Sequence, residues 1–479
     1  MAIGIWAHEP WRDEIQAWNI ARVSATPTAL LRNLRHEGHP FLWYALLWPF
    51  AKLQSSIWML QFVQWCIAIA AAAVVLWKSP FNRLQRTLLL FGYFSLFEYG
   101  ILARSYGLGW LFTAIAMSCI VPTRRWLPLG VSLGLLALTS AFGTILAIAI
   151  LVGALIHDYA TNAMAHRRRA LTAVAFTTAG CVVAYAQARP SGTTSTYETW
   201  NTRFDIHLGS GAVASIFKSL LPLQQFSRSW WNTSIADGHT GFAAIAGIGI
   251  VCGVIYLWRT NVGALALWLI ATLGTVAFIY LKLGQGDAAR YYGTIWVAFI
   301  AAAWLTRSPD VAFVRAHGTE RPFTGRVITV VLIAQLCIGV GAYARDQRAQ
   351  FTDASATADW LDHHGGRSAV IVSCPDFVGS ALAGYLERSL VYPQGGRIGT
   401  FTIWDVRRRR ITLDLADAIA LADTPARSRA PRFLVTNRPI STLQLERSFT
   451  RGVVADEHYW VYRITEQALR ERLDPCQTP

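Results

Sequence analysis

The sequence predicts an α-helical polytopic membrane protein with about ten transmembrane helices and a small extracytoplasmic α/β domain at its carboxyl end. Three observations lead there. Of 479 residues, 53% are hydrophobic and only 15% are charged, where a soluble globular domain carries about 25% charge. Long apolar runs recur up to residue 344. Beyond residue 345, short strand-like runs alternate with helical ones, as they do in a small α/β unit. The 20 Trp, 23 Phe and 16 Tyr suit membrane interfaces. The net charge of +15 is scattered between apolar runs, so it reads as topology-setting charge and not as a nucleic-acid footprint. These numbers exclude a soluble single domain, a disordered chain and a disulfide-rich scaffold.

The chain divides into an acidic extracytoplasmic loop with interfacial helices (1–39), a membrane domain (40–344) and a carboxyl-terminal domain (345–479). Residues 1–7, MAIGIWA, read as the end of a longer helix. A helical pattern runs from Ile15 to Arg22, with Pro10, Asp13 and Glu14 suited to its start. Segment 40–53 is apolar and Trp-rich but too short to span, and ends in Lys52, so it reads as an interfacial helix. A span needs about 20 mostly apolar residues. Ten runs qualify or nearly do: 57–77, 86–102, 105–122, 126–139, 142–157, 170–188, 241–258, 262–281, 291–306 and 326–344. The fourth and fifth are short and read as a pair bent near Ser140. Gly130-x-x-x-Gly134 and Gly249-x-x-x-Gly253 read as close helix-packing sites.

In the tail, strands are expected at 369–374, 389–393, 399–404, 432–436 and 457–463, and helices at 376–388 and 411–421. The run Arg407 to Arg410 reads as a solvated or headgroup-facing loop. Cys66, Cys119, Cys181, Cys252 and Cys337 sit in apolar runs and read as small residues of packed helices. Cys374 and Cys476 lie in polar sequence, able to pair if the tail is extracytoplasmic.

Loop charge sets the orientation. Alternate loops carry Lys78, Arg83, Arg86, Arg124, Arg125, Arg167, Arg168, Arg169, Arg259, Arg307, Arg315, Arg321 and Arg326; the longer opposite set carries only 7 basic residues. The first set is therefore expected in the cytoplasm. The amino terminus, the 189–240 loop and the tail are then extracytoplasmic.

Reactive groups gather before the first apolar run, in His8-Glu9-Pro10-Trp11-Arg12-Asp13-Glu14 and His36-Glu37-Gly38-His39-Pro40. The Asp13-Glu14 pair, the run Gly38-His39-Pro40-Phe41-Leu42-Trp43-Tyr44 and the later Ala103-Arg104-Ser105-Tyr106 occur in that order. In order and sidedness they resemble the GT-C glycosyltransferase superfamily. The nearest likeness is to its protein O-mannosyltransferase and aminoarabinose transferase branch, over about residues 8–160. That family's first helix has no counterpart here, and Ser105-Tyr106 stands where many relatives carry a second acid.

The resemblance implies a GT-C fold in a bacterial inner membrane, with the active site on the extracytoplasmic side. It also implies inverting transfer of a sugar from a polyprenyl-phosphate donor to a glycan, lipid or protein. By the same likeness, Asp13 is the expected catalytic base, with Glu14 second. A base is needed because the acceptor hydroxyl loses its proton as the sugar carbon turns cationic. Donor phosphate is expected on Arg104, Arg290, Lys282 and His39. Tyr106, Tyr44, Trp200 and Tyr291 are expected to bind substrate. No metal ligand is assigned and no cofactor is certain; a divalent cation among the histidines and acids stays open. Two other readings remain: a transporter or flippase of lipid-linked glycans, and an inactive relative with an assembly role. A transporter should carry ionisable residues in mid-span, whereas here they collect at one membrane face.

Overall fold

The computed structural model describes residues 1–121, 125–162, 167–189, 201, 203–283, 288–307, 322–422 and 430–476. Among them, six helices are long and apolar enough to cross a membrane: Ile57–Lys78, Ala141–Thr161, Arg167–Ala188, Asp237–Trp258, Val262–Leu283 and Phe323–Asp346. The chain is a helical membrane protein. Ile245, Ile248, Leu273, Val330 and Val340 stand exposed on these helices, an apolar surface that lipid would cover. Two shorter apolar helices, Ser105–Ile120 and Trp126–Ala137, join them. The helix Ala289–Leu305 is buried on nearly every face, as suits a helix that is apolar all round.

The helices depart from expectation in instructive places. Segment 86–102 is not one helix: Arg83–Leu90 is followed by a π-turn, Phe94–Glu98. The turn points the Glu98 carboxylate inward, where it accepts hydrogen bonds from the Tyr93 hydroxyl (3.0 Å) and Trp231 Nε1 (3.1 Å). Of the pair bent near Ser140, only the first is short, because the second helix runs from Ala141 to Asn162, beyond the expected end at 157. The 189–240 loop holds a helix, Ile206–Leu220. Asp205 starts it by accepting the N–H groups of His207 (2.8 Å) and Leu208 (3.1 Å). Trp200, expected to bind substrate, lies outside the described residues.

Gly130 and Gly134 do pack closely: a methyl group at either would fall within 2.8 Å of backbone atoms of Ala173 or Phe176. Gly249 and Gly253 do not, since both face open space on the outside of their helix. Of the five cysteines in apolar helices, Cys119 is buried, but Cys66, Cys252 and Cys337 are exposed.

The carboxyl-terminal domain is one six-stranded sheet: β1 (Val370–Cys374), β2 (Leu390–Tyr392), β3 (Arg397–Gly399), β4 (Arg432–Thr436), β5 (Leu445–Phe449) and β6 (Tyr459–Arg463), in the order β3-β2-β1-β4-β6-β5. β1 pairs parallel with β2 and β4; the outer pairings are antiparallel. Alternation in β1 sends Ile371 to one face, under the helices Ala354–Gly365 and Asp376–Tyr385, and Val370 and Val372 to the other, under Leu415–Ala422. Cys374 and Cys476 form a disulfide. The expected strand 399–404 is replaced by β3 and an irregular stretch. Its backbone groups go elsewhere, with Asn19 Nδ2 donating to the Thr400 carbonyl at 2.7 Å. The expected helix from 411 begins at Leu415, because Ile411 and Leu413 hydrogen-bond the turn at 393–395.

The helix Arg12–Val23 joins the two halves. Ile15 packs into the sheet domain's core. Ala17, Trp18, Ile20 and Ala21 pack instead with residues of the Leu42–Leu53 and Ile57–Lys78 helices.

Candidate functional site

The site is assembled from the first turn of that helix. Glu14 reaches back to the Trp11 N–H at 3.1 Å, satisfying a donor that the helix leaves open. Its other oxygen accepts the Ala103 N–H at 2.5 Å. Through that bond the Ala103-Arg104-Ser105 junction is pinned to the helix start, and the Arg104 guanidinium falls on Asp13, pairing with Oδ2. Glu14 is fully buried and also meets His8 Nε2 at 3.1 Å. It does not line the cavity described below.

Asp13 gathers two more cations. Arg290, in the first turn of Ala289–Leu305, brings Nη2 to 3.8 Å from Oδ2, and Arg12 Nε lies 3.6 Å from Oδ1. All three guanidinium groups lie 5.5–5.9 Å from the ring of Trp11. The π-face of an indole attracts cations, which offsets part of their mutual repulsion. Burial by itself would raise the Asp13 pKa. Arg104, Arg290 and Arg12 overcome that and hold the carboxyl well below the usual range. Arg290 keeps Nε and Nη1 buried without a hydrogen-bond partner.

Beside this cluster lies a cavity of about 200 Å³. Asp13, Glu37 and His39 of the amino-terminal segment and Tyr44, Arg104 and Tyr291 of the membrane domain form one wall; Phe377, Ser380, Thr402 and Trp404 of the sheet domain close it. Gly38 has a positive φ of 67°, which glycine adopts at no steric cost, and this turn sets Glu37 and His39 side by side. His39 Nδ1 lies 2.9 Å from the Glu37 carbonyl and so donates to it. Burial and the Arg104 charge lower the His39 pKa. A neutral ring bonded this way offers Nε2 as an acceptor, which suits a hydroxyl better than a phosphate oxygen.

Of the residues expected from sequence, Asp13, His39, Tyr44, Arg104 and Tyr291 share this cavity. Arg290 does not line it, but its Nη2 donates to the hydroxyl of Tyr291, which does, at 3.3 Å. Tyr106 is stacked on Tyr99 beside a smaller cavity of about 30 Å³, which shares Thr139 with the first. Lys282 is carried away from the cavity wall on a π-turn, Ile279–Leu283. Among the described residues, no group of three His, Cys, Asp or Glu side chains is arranged to hold a metal ion.

Sequence reasoning missed four participants. Glu37 stood in the noted His36–Pro40 cluster but was given no role. Trp11, Arg12 and Gln16 flank Asp13, and only their helical spacing from it could have marked them. The chain matches no protein-family model and no curated protein.

Proposed function

We propose that the protein is a membrane glycosyltransferase of the GT-C type. In this reading it moves a sugar, with inversion, from a polyprenyl-phosphate carrier to an extracytoplasmic glycan, lipid or protein at a bacterial inner membrane. The observation that carries the reading is the meeting of Arg104 and Arg290 on Asp13, at the edge of a cavity between apolar helices and the sheet domain.

The donor is a phosphodiester with one negative charge. Its prenyl chain would lie in lipid with the phosphate at the helix ends, where Arg104 and Arg290 stand. Arginine grips phosphate with parallel N–H bonds. Cleavage at the sugar carbon leaves a phosphate monoester carrying one charge more, and cations placed where charge develops lower the barrier. Asp13 holds the two guanidinium groups in place and presents a fixed negative charge toward a sugar carbon that turns cationic. His39, Tyr44 and Tyr291 offer hydrogen bonds to sugar hydroxyls. The Cys374–Cys476 disulfide supports an oxidising, extracytoplasmic location for the tail, in keeping with the loop charges. The short and buried apolar helices complete about ten spans in this reading.

The test offers farnesyl-phosphoryl derivatives of mannose, glucose, galactose and arabinose to the purified protein in detergent. Release of farnesyl phosphate from one of them is the expected result. Binding without release from any would leave an inactive relative. Movement of a lipid-linked glycan across vesicles without cleavage would mark a flippase.

A further inference from the structure

We infer that Glu37 takes the proton from the acceptor hydroxyl, an inference that rests on the glycosyl-transfer reading above. Transfer to a hydroxyl needs a group that can accept a proton in the transition state. Two carboxylates line the cavity wall, Asp13 and Glu37. Asp13 faces the guanidinium groups of Arg104, Arg290 and Arg12. A carboxylate so matched is stabilised as the anion, and gains little by taking a proton.

Glu37 is set up differently. It is buried, and its hydrogen bonds come from neutral groups: Gln16 Nε2 donates to Oε1 at 2.9 Å, and the Tyr44 hydroxyl to Oε2 at 3.5 Å. Gln16 is itself fixed at both ends of its amide, donating to the Thr402 carbonyl at 2.8 Å and accepting the Thr402 N–H at 2.9 Å. A carboxylate that lines the cavity is thus oriented by an amide that backbone groups hold still, and its Oε2 is the less tightly bonded oxygen. The charged and titratable groups around it are Asp13 on the Arg12–Val23 helix, His39 on its own loop, Tyr44 on the Leu42–Leu53 helix and Arg104 at the 103–105 junction. Burial raises the Glu37 pKa to about 7; the Asp13 charge adds to this, and the Gln16 bond and the Arg104 charge oppose it. A base poised near neutrality is both free to accept a proton and able to hold one.

The step balances without a further reactant. The acceptor O–H proton passes to Glu37 as the oxygen's electron pair forms the new bond to the sugar carbon. The bond from that carbon to the phosphate oxygen breaks, and its pair leaves with polyprenyl phosphate beside Arg104 and Arg290. Glu37 then returns its proton to solvent.

The test measures farnesyl phosphate release, with water and simple sugars as acceptors, from whichever farnesyl-phosphoryl sugar the wild-type protein cleaves. The wild-type rate should rise with pH through about 7 as Glu37 ionises. Glu37→Gln, close in shape and neutral, should lower kcat by about 10²–10⁴-fold, leave KM nearly unchanged and abolish that rise. Glu37→Asp should keep the rise at a reduced rate, and carries the test if the glutamine variant does not insert. A loss in kcat below about tenfold for Glu37→Gln, a loss in KM alone, or a rise with pH that survives the change overturns the assignment while leaving the transferase reading intact. Release from no donor by the wild-type protein overturns both.

Discussion

Gln16 and Thr402 hold each other by two hydrogen bonds, one in each direction, at 2.8 and 2.9 Å. The first residue lies on the helix that carries Asp13, the second on the sheet domain. Three residues on, Asn19 Nδ2 bonds the carbonyls of Ser380 (2.8 Å) and Thr400 (2.7 Å). These side chains take up backbone groups that would otherwise be buried unpaired, so the sheet domain is a built part of the cavity wall.

Gln16→Ala should therefore disturb docking and site together. It strands the N–H and carbonyl of Thr402, at about 1–3 kcal/mol for each buried group left unsatisfied. Thermal unfolding in detergent should show a lower midpoint, and the kcat of farnesyl phosphate release should fall as Glu37 loses its orienting bond. An unchanged midpoint would mean that the two bonds add nothing to docking.

Arg104→Lys keeps the charge and loses the planar pair of donors. A hydrogen bond to a charged group is worth about 1.5–3 kcal/mol, so affinity for farnesyl phosphate should weaken by about 10–100-fold. Titration of both proteins in detergent reads this directly. Equal affinities would remove Arg104 from the phosphate site.

Much of this architecture is legible in the sequence, because apolar run length reports directly on helices that meet lipid. The acidic helix start, the His39-Pro40 turn and Arg104 could each be read, since each combines a charged or histidine side chain with an apolar flank. What could not be read depends on tertiary partners. The helix Ile206–Leu220 has a lower apolar density than a span, and its burial comes from neighbouring helices. β5, with the sequence LERSF, is an exposed edge strand and shows no apolar alternation. Glu37 and Gln16 gain their meaning from Thr402, 365 and 386 residues away along the chain.

The Cys374–Cys476 disulfide ties β1 to the end of the described chain across a separation of 102 residues. Closing a loop of that size stabilises a domain by about 2–5 kcal/mol. Cys476→Ser should lower the urea midpoint of the sheet domain accordingly. In cells, both thiols should resist maleimide until reduced, and alkaline phosphatase fused after residue 350 should be active. Free thiols in growing cells together with an inactive fusion would place the tail in the cytoplasm and sink the proposed sidedness.

Asp13→Asn separates binding from turnover. The carboxylate lies between Arg104 and Arg290, where its negative charge repels an incoming phosphate while it steadies the cations. Asparagine has nearly the same shape and keeps an oxygen for Arg104, so the helix start should survive, at the cost of the lost ion pairs and about 0.3–1 kcal/mol of interaction with the helix dipole. Removing the charge should tighten binding of farnesyl phosphate. It should also slow transfer by about 10²–10³-fold, because a fixed charge facing the cationic sugar carbon is lost. The Asp13 pKa is lowered from an ordinary 3.8, so its ion-pair stabilisation is complete above that value and is lost only as pH falls below it. The variant's stability deficit should therefore stay constant from neutral pH down to about pH 4 and shrink only in stronger acid. Its rate should keep the rise near pH 7 that belongs to Glu37, at a lower plateau. Isothermal titration with farnesyl phosphate, set beside kcat, decides the matter: weaker anion binding, or a kcat near that of the wild-type protein, would show that Asp13 does not hold the arginines for catalysis.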